Sequence, residues 1–233
     1  MNSFSRLMPD ITITLNSFLL LCLGILVIYS SDSQLALMQA VFAVIGFGLY
    51  WFISKINLDY FQNYTKAFYL TILLLLIVVL ILGIESRGSI RWIPLGPLRF
   101  QPSEFAKPVL ILCLAQFWAN RLPTWKNVGL SIALVGPLFL LVFRQPDLGT
   151  ALTLAAIWLG ILISANISAI KLVLMTTVMG IMMPIAWLFL HDYQKNRIFS
   201  FLSPSSDPLG VGYNVIQSTI AVGSGELLGR GLG

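Results

Sequence analysis

Six stretches of this chain run about the length of a membrane crossing without one charged residue: 11–31, 33–54, 67–84, 127–143, 148–170 and 172–190. A helix needs about 20 apolar residues to cross a hydrocarbon core about 30 Å thick. These stretches are apolar on every side. That suits helices, because lipid-facing backbone must satisfy its own hydrogen bonds. Charged residues make up 10% of the chain and hydrophobic residues 58%, whereas a soluble domain carries about 25% charged residues. Too little polar sequence remains to cover six buried helices, so an ordinary soluble enzyme and a disordered chain are both excluded. The net charge of +5 comes from basic residues scattered singly, which argues against a nucleic-acid partner. The reading is an all-α, polytopic transmembrane helix bundle, and with no low-complexity linker it is one domain, 1–233.

A seventh span lies between Lys107 and Arg121, but the uncharged stretch 108–120 is too short to cross alone. The helix must begin near Gln101, giving a span of 101–120 and drawing Glu104 and Lys107 into the membrane edge. Ionisable groups there are expensive and face a cavity or a partner. Three residues apart, they share a helix face and can pair. The same spacing would equally serve a snorkelling salt bridge that anchors the helix end. The remainder, 191–233, is too rich in Gly, Ser and Pro for a lipid-facing span, and 208–225 reads as a loop or short helix lying against the bundle.

Seven spans put the chain ends on opposite sides. Arg6, Lys55, Lys66, Arg121, Lys126 and Lys171 fall on one side, and the remaining eight Lys and Arg on the other. The positive-inside count therefore does not orient the chain. The second side mixes charges of both signs with Pro, Gly and Trp, as a site would. There, Gln101-Pro102-Ser103-Glu104 and Gln145-Pro146-Asp147 each set Pro at an expected first helical position, with an acid or hydroxyl in the first turn. Two helix starts on one side could converge on one anion, and Arg87, Arg91 and Arg99 lie nearby. Capping plus lipid-headgroup contact would use the same residues. Cys22 and Cys113 sit in separate spans as packing residues, and His191 is alone at a helix end, so neither a disulfide framework nor a metal cluster is indicated.

Three segments in order, RWIPLGPLRFQPSEFAK, RQPDLGTAL and DYQKNRIFSFLSPSSDPLGVGYNVIQSTIAVGSG, resemble the SEDS family of bacterial wall synthesis, the RodA/FtsW/SpoVE proteins. The third segment is closest to RodA. The resemblance implies a multi-pass inner-membrane glycosyltransferase of roughly ten spans with a cytoplasmic N-terminus and the loop 191–233 outside. Such a protein polymerises lipid II into glycan strands during cell elongation and shape maintenance, beside a class B penicillin-binding protein that cross-links them. By motif match the substrate-binding residues are Arg91, Gln101, Ser103, Glu104 and Lys107, then Gln145 and Asp147, then Arg197, Gln217, Ser218 and Ser224. The arginines and helix starts would hold the donor's pyrophosphate, with a divalent cation, Mg or Mn. A carboxylate base would deprotonate the acceptor sugar hydroxyl, which attacks the anomeric carbon as the lipid pyrophosphate leaves.

In the family, the acid regarded as that base lies beyond the position of Gly233. Asp207 belongs to the DPLG turn and reads as its cap, and Glu226 stands where the family favours a small residue. The expectation is a truncated chain, about seven spans of ten, with no catalytic residue of its own and inactive alone. A lipid-precursor flippase and a non-catalytic scaffold for a transpeptidase are the rival readings. A transporter would use a midplane site, whereas the distinctive residues here gather at one face. Glu104→Ala is expected to impair polymerisation while the protein still inserts and expresses. Normal activity in that variant would return the pair to an anchoring role.

Overall fold

Charge punctuates the helices. Asp10 precedes α1 (Ile11–Ser31), where its carboxylate accepts from the N–H groups of Thr12 at 2.8 Å and Ile13 at 3.2 Å. Asp32 separates α1 from α2 (Ser33–Ser54) and serves both. Its N–H donates to the Ile28 carbonyl at the end of α1, and its carboxylate accepts from Gln34 and Leu35 N–H at the start of α2. One residue thus satisfies orphan groups at two helix ends.

The computed structural model describes residues 10–86, 89–96, 98–190, 192–210, 212–226, 229 and 231. Arg87, His191 and Arg230 lie outside the described residues. The helices continue with α3 (Leu58–Leu82), α4 (Pro102–Ala119), α5 (Trp125–Arg144), α6 (Leu148–Ser164), α7 (Ala169–Leu188), α8 (Asp192–Leu202) and α9 (Tyr213–Gly225). Three short strands, β1 (Ile84–Ser86), β2 (Ser89–Leu95) and β3 (Leu98–Phe100), form an antiparallel sheet ahead of α4. Among the described residues five helices, α1, α2, α3 over Tyr60–Leu82, α5 and α7, are long and apolar enough to cross a membrane.

Several bounds differ from the uncharged stretches. Helix α3 starts well before residue 67 and carries Lys66 within it, because a long side chain near a helix end can reach the interface without breaking the helix. Helix α6 stops at Ser164 instead of running to 170. Asn166 there adopts φ +56, a left-handed helix-ending conformation that asparagine tolerates. Helix α7 then begins at Ala169, before Lys171. The tail contains α9 where a loop or short helix was expected, and α8 ahead of it. The sheet is the clearest departure from an all-α reading. It forms where Gly96, at φ +64, turns the chain between β2 and β3, pairing Leu95 with Leu98 and Pro94 with Arg99.

The chain divides into two compact units, Met1–Tyr60 with Gln217–Gly233, and Phe61–Ile216. In the first, α1 and α2 pack as a hairpin. Thr14 and Tyr50 hydroxyls meet at 2.9 Å, and Phe47 makes edge contacts with Phe18 and Tyr50. Their outer faces expose Leu, Ile, Phe and Val, as lipid-facing surface does.

In the second unit α4 packs against α5, α6 and β2, and α5 packs against α6. Leu76, Leu110, Leu114, Leu138, Leu154 and Leu162 are fully buried there. At the heads of α4 and α6 the buried residues are compact: Pro102, Ser103 and Ala106 on α4, Thr150 and Ala151 on α6. Lipid is as apolar as leucine, so helices in a membrane associate through close packing of small residues and interhelical hydrogen bonds. Trp158 on α6 supplies one such bond, donating its indole N–H to Ser131 Oγ on α5 at 2.9 Å. Ala106→Leu should destabilise the purified protein by about 1–3 kcal/mol through overpacking, read as a lower midpoint in thermal unfolding. Gly160→Ala, where an added Cβ meets nothing within 4 Å, should not.

Candidate functional site

The sheet leads straight into α4. Phe100 ends β3, Gln101 takes the N-cap position and Pro102 opens the helix. Proline suits that first position, where its missing N–H costs nothing. At the second motif the arrangement differs from the expected one. Pro146 precedes the cap, and Asp147 itself is the N-cap of α6.

Asp147 is the centre of the site. Its side chain is 7% exposed, and its carboxylate collects donors from three elements. Thr150 of α6 gives its N–H to Oδ1 at 3.2 Å and its hydroxyl to Oδ2 at 2.9 Å. The Gln101 amide, at the head of α4, donates to Oδ2 at 3.3 Å. Arg91 on β2, 22% exposed, brings Nη1 to 3.5 Å from Oδ2. The Gln101 amide also reaches Ser103 Oγ at 3.0 Å, and Ser103 is fully buried. The expected convergence of two helix starts is therefore present, and one carboxylate makes it. Gln145, fully buried beside it, donates to the Leu76 carbonyl of α3 at 3.0 Å.

The electrostatics are asymmetric. The α6 start already holds an anion, the Asp147 carboxylate. The α4 start has no side-chain cap, and its Glu104 points away to pair with Lys107. Two buried polar atoms in the cluster, Arg91 Nε and Gln145 Oε1, have no hydrogen-bond partner among the described residues. One is a donor and one an acceptor, and leaving such groups unmet is costly. A ligand bearing hydroxyls or phosphoryl oxygens would complement them.

The remaining candidates are placed as follows. Glu104 and Lys107 form an ion pair at 2.7 Å, with Glu104 53% exposed, on an outer face of α4. Arg197 lies exposed on α8, its carbonyl accepting from Ser200. Gln217, Ser218 and Ser224 belong to the other unit, on α9, where Ser224 donates to the Ala221 carbonyl. Asp207 accepts from the Gly210 N–H at 3.1 Å and closes its own turn. A Cβ at Gly212 would strike the Pro204 carbonyl, so that turn needs its glycine. Thr150 is a cluster member that the sequence reading missed, although Asp147-x-x-Thr150 has the spacing of a helix cap. Among the described residues no three His, Cys, Asp or Glu side chains gather to hold a metal ion.

The FtsW/RodA/SpoVE model, described as a cell cycle protein, matches residues 11–233. The chain belongs to this family. It is 37% identical over 228 residues to the peptidoglycan glycosyltransferase MrdB of Escherichia coli K12, covering 95% of this chain and 62% of that protein. Among solved structures it resembles a chain of a peptidoglycan synthase complex that coordinates polymerization and crosslinking. That match has TM-score 0.80 and 32% identity over 94% of this chain and 66% of the other. It also resembles the rod shape determining protein RodA of Thermus thermophilus, at TM-score 0.66 and 26% identity, covering 74% and 59%. The chain thus spans about 62% of the curated relative's length, and it is a polytopic helical membrane protein of the same fold. The Asp147 cluster falls within the matched region.

Asp147→Asn should keep the α6 cap, since asparagine caps as well as aspartate, whereas Asp147→Ala should lose it at about 1 kcal/mol. A double-mutant cycle between Asp147→Asn and Arg91→Gln should show coupling of about 1 kcal/mol, read from unfolding midpoints in detergent. Additive effects would mean that the ion pair is decorative.

Proposed function

We propose that this chain forms the donor-side portion of a peptidoglycan glycosyltransferase that polymerises lipid II during cell elongation. The observation that carries the reading is the buried Asp147 carboxylate tying Arg91, Gln101 and Thr150 together at the heads of α4 and α6, in a chain of this family. Arg91 has Nε unmet, and α4 begins without a side-chain cap. Together they offer positive charge and N–H donors to the pyrophosphate of a lipid-linked sugar. Asp147 is engaged by all of its donors, so it organises the site and does not serve as a proton acceptor. The acceptor hydroxyl would attack the anomeric carbon and expel the lipid pyrophosphate, the positive cluster stabilising the charge that develops on the leaving group.

The proposed setting is the bacterial inner membrane, with the N-terminus cytoplasmic and the cluster at the outer face. The proposed partner is a class B penicillin-binding protein. The likeness to a chain of a synthase complex supports a partner of that kind. Glu104 and Lys107, on an outer face of α4, would suit a lipid-headgroup or partner contact better than a seat at the pyrophosphate.

Two preparations test this: the chain itself, and the chain continued by the part of Escherichia coli MrdB that it does not cover. Each is reconstituted with lipid II and its products resolved on a gel. Glycan chains are expected from the extended form and are expected to fall about tenfold or more in Arg91→Ala, as loss of one charge-stabilising donor costs. Lipid II crossing the bilayer without chain growth would identify a flippase instead. Co-purification of the transpeptidase with neither activity would identify a scaffold.

A further inference from the structure

At the other end of α4 from Asp147, an open groove of about 540 Å³ runs between α3, α4 and α5. That lies within the size range of small-molecule sites, about 300–1,000 Å³. The 18 residues of α4, at 1.5 Å each, put the two ends about 27 Å apart, so this groove is separate from the site described above.

Its walls are braced by side chains bonded to backbone carbonyls. The Tyr69 hydroxyl of α3 donates to Leu134 on α5 at 2.8 Å, and the Gln116 amide of α4 donates to Gln62 on α3 at 3.2 Å. The Cys113 thiol approaches the Thr65 carbonyl at 3.9 Å. The lining is mostly apolar, with Leu70, Phe117 and Leu134 contributing. Lys66 and Arg121 also line it, and both are exposed. The Arg121 guanidinium lies 4.2 Å from the centre of the Phe117 ring, a stack that fixes its plane and leaves its N–H edge available. No carboxylate lines the groove, and neither cation has an ion pair among the described residues.

We propose that this groove binds one anionic glycerophospholipid, with an acyl chain along Leu70, Phe117 and Leu134 and its phosphodiester held by Lys66 and Arg121. Charge complementarity selects an anion, and the apolar floor selects an amphiphile, since inorganic phosphate would leave that floor uncovered. Basic pockets between transmembrane helices take anionic headgroups for the same reason. The neighbouring Lys171 is differently employed: its ammonium donates to the Pro123 carbonyl at 2.6 Å and lies over Trp125.

The test places the chain in phosphatidylcholine nanodiscs doped with phosphatidylglycerol and counts retained lipid by native mass spectrometry. Retention of phosphatidylglycerol should weaken roughly fivefold for each cation removed in Lys66→Gln with Arg121→Gln. The charge-keeping pair Lys66→Arg with Arg121→Lys should retain it, and Lys126→Gln, an exposed cation outside the groove, should change nothing. Circular dichroism and elution volume identify a folding loss, in which case the charge-keeping pair carries the comparison. Equal retention by the neutralised double variant, or equal retention of phosphatidylcholine, overturns the proposal. Displacement of the lipid by excess inorganic phosphate would also overturn it, in favour of a free-anion site.

Discussion

A carboxylate buried at the head of a membrane helix must find donors or lose its charge, and Asp147 finds them on three separate elements. That requirement organises the surrounding polypeptide. Thr150 folds back from the first turn of α6, Gln101 brings the head of α4, and Arg91 brings β2. Each of these groups is itself awkward to bury. The arginine needs a counter-charge, the glutamine an acceptor, and the helix start a cap. Gathered together they answer one another, which is the condition under which buried polar networks specify one arrangement. The hairpin strands are short and would not persist alone. They hold their place because Arg91 is tied to the helix heads and β2 packs on α4.

The same economy runs along the rest of the second unit. Helix α3 has little polar side chain in its central region, yet its carbonyls at Gln62, Thr65 and Leu76 each accept from a side chain of the α4–α5 region. The Tyr69 hydroxyl returns the gesture to α5. In lipid no hydrophobic gain draws helix to helix, so such bonds and the small residues at the α4 and α6 heads supply the association. Polar residues that look like blemishes in apolar runs, Gln116 and Ser131 among them, are the joints of the bundle, and Gln145 at the end of α5 is another.

What could be read from the sequence divides along this line. Local events were legible. Asp10 and Asp32 bound the apolar runs, Glu104 and Lys107 pair across one turn, and Asp207 closes its own DPLG turn. Each depends on residues within four positions. The convergence of the α4 and α6 heads was legible as a motif likeness, but its agent was not. Arg91 and Asp147 are far apart in sequence, and nothing local says that a capping aspartate also binds an arginine on a strand. The strands were missed because Pro94, Gly96 and the three arginines mask a short apolar alternation. The end of α6 was missed because counting charges cannot register a left-handed Asn166.

The two ends of α4 carry opposite solutions to one problem. At its head, positive charge is brought in from Arg91 and largely spent on Asp147, leaving Arg91 Nε unmet among the described residues and α4 without a side-chain cap. At its foot, Lys66 and Arg121 stand beside apolar surface with no acid paired to them among the described residues. A fully neutralised head could not attract an anion, and an unneutralised one could not be buried. Partial compensation at the head is what would let the proposed site be both packed among helices and receptive to a pyrophosphate. At the foot, where burial is shallow, no compensation is needed and the bilayer itself can supply the counter-charge.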